Sequence, residues 1–277
     1  MEELRSIKDL GNRSGKLIFF GGVYSNLQAL QALKEWAEQN KYPPENVFCT
    51  GDVFGYCAQP MECIALLKEW NINTIAGNVE LQIRNDKDEC GCDFTSGGRC
   101  DLFSKTWYRY IQSQVDDNAK EWLKQLPEFI KIKYGNNHIT IVHGSWFNTS
   151  EFIFKSTPWQ NKQENFKATQ SNIIIAGHCG LPFADVRDDY KWLNAGVIGM
   201  PANDGTPRVW FLTTDDDNGE LNYQFHSFNY DHHTAGSLMA KNNLPASYAN
   251  TLSTGIWDNC EILPEEETKQ QGKALQF

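Results

Sequence analysis

Apolar residues in the first eighty positions fall in short uninterrupted runs separated by helical stripes. Lys16–Gly21 is one such run, too short for a helix, and it predicts a strand buried on both faces. Ser25-x-x-Gln28 then has the form of a capping box, opening a helix with Leu27, Leu30, Leu33 and Ala37 on one face. Asn46–Thr50 repeats the strand pattern and ends at Gly51-Asp52, and Pro60 stands where a first-turn proline opens a helix over Met61–Trp70. Ile72–Ala76 is a third run, stopping at Gly77-Asn78. Strands alternating with helices predict a mainly parallel sheet whose polar strand-end residues gather along one edge.

The rhythm breaks at Arg84–Cys100, a stretch rich in Asp, Gly and Cys that reads as an insertion, extending to about residue 105. Helical patterns follow over Phe103–Gln114 and Asp117–Leu126, the second capped by Asp116. Phe129–Tyr134 and His138–Val142 flank Gly135-Asn136-Asn137, a hairpin signal. Asn172–Ala176 is another apolar strand, and 182–228 is strand and turn with a tight connection at 215–219, which implies a second sheet. No repeat and no long linker divides the chain. The expected organisation is one domain over 1–277, with a polar leader (1–15) and a helical C-terminal extension from about 231.

Composition changes the picture in two ways. With 40% hydrophobic and 13% aromatic residues the 277-residue chain has the makings of a folded core. A formal charge of -10 argues against a nucleic-acid polymer or an anionic membrane as partner, since both are gripped by clustered Lys and Arg. A small anionic substrate stays open, because a bound metal inverts the local field. The N-terminal residues lack the apolar core of a secretory signal, and Leu17–Phe20 and Ile173–Ala176 are too short to cross a bilayer, so a cytoplasmic location is expected. Eight scattered cysteines read as reduced thiols, some with a metal role.

Five short motifs sit at predicted strand ends: Gly21-Gly22-Val23-Tyr24-Ser25-Asn26, Gly51-Asp52, Gly77-Asn78-Val79-Glu80, His143-Gly144 and Gly177-His178-Cys179-Gly180. Each alone is weak, and a lone His is usually structural. Their order and spacing resemble the calcineurin-like metallophosphoesterases, whose pattern reads Asp-x-His, Gly-Asp, Gly-Asn-His, His and Gly-His-x-His. The resemblance covers roughly 16–230 and extends to Gly51-Asp52-Val53-Phe54-Gly55-Tyr56 and Asn194-Ala195-Gly196.

That resemblance implies an α/β fold, a two-sheet αββα sandwich, with two metal ions about 3.5–4 Å apart clamping a phosphate. One of the family's metal positions maps onto Gly22, Tyr24, Asp52 and Gly180, and has lost most of its ligands. The other maps onto Asp52, Asn78, His143 and His178, all present, an N/O set suited to zinc, manganese or iron. One or two ions are therefore expected. Val79 stands where the family has the His that protonates the leaving group, and it has no proton to give. Tyr24, Asn26 and Glu80 are the expected substrate contacts, with Glu80 alternatively a support for its loop and Tyr24 a packed side chain. The space beside Gly22 and Gly180 is either a pocket or is filled from elsewhere.

Cys90, Cys92, Cys100 and Cys179 are candidate accessory thiols, either ligands for the emptied position or redox groups, although Cys-x-Cys is a weak signal. Asp231-His232-His233 reads as solvated surface, the tryptophans as packing, and Asn203 and Arg208 either as phosphate contacts or as turn residues. The leading expectation is a metal-dependent hydrolase of a small phosphate mono- or diester or nucleotide. The alternatives are a non-catalytic descendant that binds a phosphorylated ligand, and a different reaction in which thiols join the metal.

Overall fold

Two sheets lie face to face, each covered by helices on its outer side. The computed structural model describes residues 5–217 and 220–277. The elements run β1 (Ile7–Arg13), β2 (Leu17–Phe20), α1 (Leu27–Gln39), β3 (Val47–Cys49), α2 (Pro60–Trp70), β4 (Asn73–Thr74), α3 (Asn78–Arg84), α4 (Arg99–Gln114) and α5 (Asp117–Gln125). They continue with β5 (Phe129–Tyr134), β6 (Asn137–Ile141), α6 (Trp159–Thr169), β7 (Ile173–Ala176), β8 (Phe183–Arg187), β9 (Tyr190–Asn194), β10 (Val209–Asp217), β11 (Glu220–Phe228), α7 (His232–Lys241), α8 (Ala246–Thr254) and α9 (Glu265–Thr268).

One sheet has the order β11-β10-β2-β3-β4 and the other β1-β5-β6-β7-β9-β8. In the first, β2, β3 and β4 are parallel, as their alternation with helices predicts. In the second, β6, β7 and β9 are parallel and β5–β6 is the expected hairpin, turning between Tyr134 and Asn137.

The unbroken apolar runs are explained by burial on both faces. Leu17 and Phe19 point between the sheets, where they meet Phe48, Ile139, Ile141, Ile173, Ile175 and Leu212. Ile18 and Phe20 point the other way, onto Leu30, Leu33, Ile64, Leu67 and Trp70 of α1 and α2. Ile174 and Ala176 do the same for the second sheet, against Phe166 of α6 and Trp192. Fully burying such side chains favours folding by roughly 1.5–3 kcal/mol each before chain entropy is set against it.

Several local expectations are corrected. The cap of α1 is Asn26, whose Oδ1 accepts from the Ala29 amide at 3.2 Å, while the Ser25 hydroxyl accepts from Gly55 at 3.3 Å. The polar leader contains β1, which pairs in parallel with β5 at the sheet edge and is mostly exposed, so its sequence has no need of an apolar face. Residues 1–4 of that leader, and 218–219 of the tight connection expected at 215–219, lie outside the described residues. Two helices were not expected, α3 directly after Gly77 and α6. β4 keeps only two residues; the Ile75 amide still donates to Cys49 O at 3.1 Å, and the Ala76 amide turns to Pro127 O at 2.8 Å. Arg208 and Asn203 hold the C-terminal segment, Arg208 pairing with Asp204 at 3.0 Å and donating to Leu275 O at 2.8 Å. Asn203 Oδ1 accepts from the Trp257 amide at 2.8 Å.

Candidate metal centre

Every polar motif of the sequence falls where a parallel strand ends. Tyr24 follows β2, Asp52 follows β3, Asn78 is the first residue of α3 after β4, His143 follows β6 and His178 follows β7. The parallel topology brings the four loops of the surviving ligand set to one edge of the two sheets, as the resemblance implies. Asp52 and His178 themselves have left-handed backbone, at φ 54° and 62°. A Cβ on Gly77 would stand 2.4 Å from Asp52 Oδ1, so that approach of two loops requires glycine.

Glu80 fixes those two loops to each other. One carboxylate oxygen accepts from the amides of Asp52 and Gly77, each at 2.8 Å, and the other from Phe54 at 3.1 Å. The residue is completely buried. Burial first, and Asp52 second, push its carboxyl up to about 7 against the pull of the amides. With no surface left to offer a ligand, Glu80 supports the loops, and the expectation that it contacts substrate is corrected. Asn26 is corrected likewise: it is fully buried and its Nδ2 donates to Gly199 O at 3.0 Å and to Tyr230 Oη at 3.1 Å.

The ligand atoms converge on His143. Its Nε2 lies 3.0 Å from Asn78 Oδ1, 3.0 Å from His178 Nδ1 and 3.2 Å from Asp52 Oδ1. Its Nδ1 lies 2.7 Å from the carbonyl oxygen of Thr50, which only a ring proton can satisfy. His178 Nε2 lies 3.0 Å from the Ser150 carbonyl oxygen, which fixes its tautomer in the same way, and Phe152 stacks on its ring at 4.3 Å. Neutral histidines held so each present a bare lone pair to the centre. Asn78 is turned the right way by the insertion: its Nδ2 donates to Cys90 O at 3.0 Å and to Cys92 Sγ at 3.3 Å, leaving Oδ1 inward.

Four lone-pair atoms thus face one another with no donor between them. Asp52 Oδ1 is buried and has no hydrogen bond. Asp52, His143 and His178 form a buried group whose ligand atoms lie within 4.8 Å of one another. Such a nest of acceptors is stabilised either by a proton on His143 or by a cation, and a donor set of two imidazoles, a carboxylate and an amide oxygen fits a divalent transition ion. Burial lowers His143, but the charge of Asp52 and its hydrogen bonds outweigh that and leave it raised. His178 is pushed down to about 3, by burial first and by His143 next, so its lone pair is free throughout the neutral range.

The emptied position is closed at Gly22 but not at Gly180, which lines a cavity together with Tyr24 and Asp52. A Cβ at Gly22 would meet Val197 Cγ1 at 2.5 Å and the Tyr24 ring at 2.6 Å, and one at Gly180 would meet Trp257 at 3.0 Å. Cys92, Cys100 and Cys179 also line that cavity, but not as a ligand group. Among the described residues no metal-ligand group contains a cysteine. Cys100 Sγ turns to Asn259 Oδ1 at 3.4 Å, and Cys179 accepts from Asn194 Nδ2 at 3.2 Å. All eight cysteines are free thiols. The cavity lies beside Asp52 and His178, with a volume of about 70 Å³, and is lined by Tyr24, Tyr56, Cys92, Tyr248 and Trp257. Thr50, Ser150, Tyr248 and Trp257 carried no signal in the sequence: two act through backbone carbonyls, and two come from a C-terminal segment far along the chain.

Residues 22–217 match the model of the calcineurin-like phosphoesterase superfamily domain. An uncharacterized protein of Methanocaldococcus jannaschii is 23% identical over 254 residues, covering 84% of this chain and 95% of its own. Among solved structures, a hypothetical protein of Pyrococcus horikoshii superposes with a TM-score of 0.73 at 18% identity, over 87% of this chain and 99% of that one. A metallophosphoesterase from Sphaerobacter thermophilus gives 0.65 at 21% identity, over 88% of this chain and all of that one. No described helix is long and apolar enough to cross a membrane.

Proposed function

The chain belongs to the calcineurin-like phosphoesterase superfamily, and from that premise we propose that it is a hydrolase of small phosphate esters, mono- or diesters or nucleotides, built on one metal position. The observation that carries this reading is the convergence of Asp52, Asn78, His143 and His178 as four lone-pair donors around a point that holds no hydrogen-bond donor. Zinc, manganese or iron held there by Asp52, Asn78, His143 and His178 would supply Lewis acidity for a phosphoryl oxygen and for water. The chain's own residues do the rest. Thr50 and Ser150 keep the two imidazoles in the metal-binding tautomer, Glu80 keeps Asp52 and Asn78 in register, and Tyr24 offers a phenolic donor from the side where the family has its second ion.

The test is metal stoichiometry with turnover. Protein never exposed to chelator should carry about one transition ion, and His143→Ala and His178→Ala should each lose it together with at least about 100-fold of the p-nitrophenyl ester hydrolysis. Full activity in both variants would move the chemistry elsewhere. A second reading, a metal-bearing protein that binds a phosphorylated ligand without cleaving it, is favoured by Val79, which is 2% exposed and has no proton for a leaving group. A loaded protein that melts higher with phosphate esters but turns none over supports that alternative.

A further inference from the structure

The cavity beside the metal centre carries an inference about which phosphate esters reach it, resting on the hydrolase reading above. Asp52 and His178 form one wall, and six aromatic residues, Tyr24, Tyr56, Phe94, Phe152, Tyr248 and Trp257, are the largest group in the remainder, with three cysteines beside them. Among the described residues no lysine or arginine lines it. Its other carboxylate, Asp258, is held outward in a two-pronged ion pair with Arg99, at 2.5 and 2.7 Å, so the guanidinium is committed as well. Tyr24 and Tyr56 line this cavity and make no side-chain hydrogen bond among the described residues, so their hydroxyls are without a protein partner. A phenol is protonated at neutral pH and donates to an anionic oxygen.

From this largely aromatic wall, with neutral donors and no cation, we infer that the site takes singly charged phosphate, a phosphodiester or phosphonate monoester, whose ester or carbon substituent enters the aromatic cavity. A phosphomonoester brings close to two negative charges at neutral pH, its second ionisation lying near 6. A divalent ion held by Asp52 and neutral ligands leaves one net positive charge, which answers the first. The second would be buried against apolar rings and beside Asp52 without a counterion, which is costly. In a diester the second oxygen is alkylated, and the substituent replaces water against Tyr56, Tyr248 and Trp257, where an apolar group is favoured. The cavity's volume of about 70 Å³ is too small for a nucleoside or a complete phenyl ring, so either group enters in part and extends outward past the cavity mouth.

The test uses three esters of one leaving group on the manganese-loaded full chain: bis(p-nitrophenyl) phosphate, p-nitrophenyl phenylphosphonate and p-nitrophenyl phosphate. Charge and substituent then vary while the departing group does not. The expected result is a kcat/KM for both singly charged esters on the order of 100-fold above that of the monoester, the size expected when a buried charge lacks its partner. A monoester cleaved as well as the other two overturns the inference. Turnover of none of the three overturns the hydrolase reading instead, and binding then decides the inference separately by calorimetry. Methyl phenyl phosphate binding at least tenfold tighter than phenyl phosphate upholds it, and equal or reversed affinities overturn it. Trp257→Ala should lower kcat/KM for the phenylphosphonate more than for the monoester; equal losses would show that the ring merely supports the fold.

Discussion

Glu80 is where a single side chain decides most about this site. Its carboxylate accepts three amide hydrogens, from Asp52, Phe54 and Gly77, and so ties the loop of one metal ligand to the loop of another. Glu80→Gln keeps the volume but turns an N–H₂ toward at least one backbone N–H. The expected result is a loss of about 2 kcal/mol in denaturant unfolding, since a buried donor is left unpaired, and a weaker hold on metal in titration. A variant with unchanged stability and metal affinity would show that the loops are held by something else. At this scale the sequence was legible where a side chain both ends an apolar run and carries the chemistry, as Asp52, Asn78, His143 and His178 do. It was not legible where the work falls to a main-chain carbonyl, as with Thr50 and Ser150, because any residue type supplies one. Ser25 reads as the cap of α1 in place of Asn26 for a related reason: adjacent Ser and Asn are both good caps, and only the backbone path chooses between them.

Among the elements, the turn after β2 departs furthest from the family pattern. The left-handed residues Gly22, Tyr24 and Ser25, at φ 45°, 52° and 58°, fold the turn so that the Tyr24 ring takes the space a Cβ on Gly22 would need. Gly22→Asp should therefore not create a metal ligand. Its Cβ collides with Val197 and Tyr24, and the expected outcome is a melting temperature lower by several degrees, on the order of 2 kcal/mol, with metal content still near one per chain. Two ions per chain in that variant would mean the ring moves aside freely. The parallel core strands β2 and β3 were readable because short continuous apolar runs, four residues in one and three in the other, bounded by polar residues and glycine, admit few other fates. α3 and α6 escaped notice for want of an apolar stripe, α3 with only Val79 and Ile83 as buried apolar residues and α6 with only Phe166. β1 escaped because an edge strand exposed along most of its length has no apolar pattern to show.

For the molecule as a whole, the insertion after α3 and the segment after α8 behave as one cover over the cavity. Glu261 accepts from the amides of Arg99 and Cys100 at the start of α4, at 2.9 and 3.2 Å, and Arg99 reaches back to Asp258. Arg99→Ala together with Glu261→Ala should leave the two sheets intact while amide exchange at 90–100 and 257–262 accelerates several-fold. Unaltered exchange in those two stretches would separate them as independent units. Their pairing bears on how this architecture can be recombined. The two stretches are some 160 residues apart in the chain, yet each supplies what the other lacks, amides and a guanidinium on one side and carboxylates on the other. A chimera that grafts the insertion alone onto a related scaffold receives an unmatched arginine and a helix end without its carboxylate cap. A transplant has to carry both stretches together, and relatives that have exchanged one should be found to have exchanged the other.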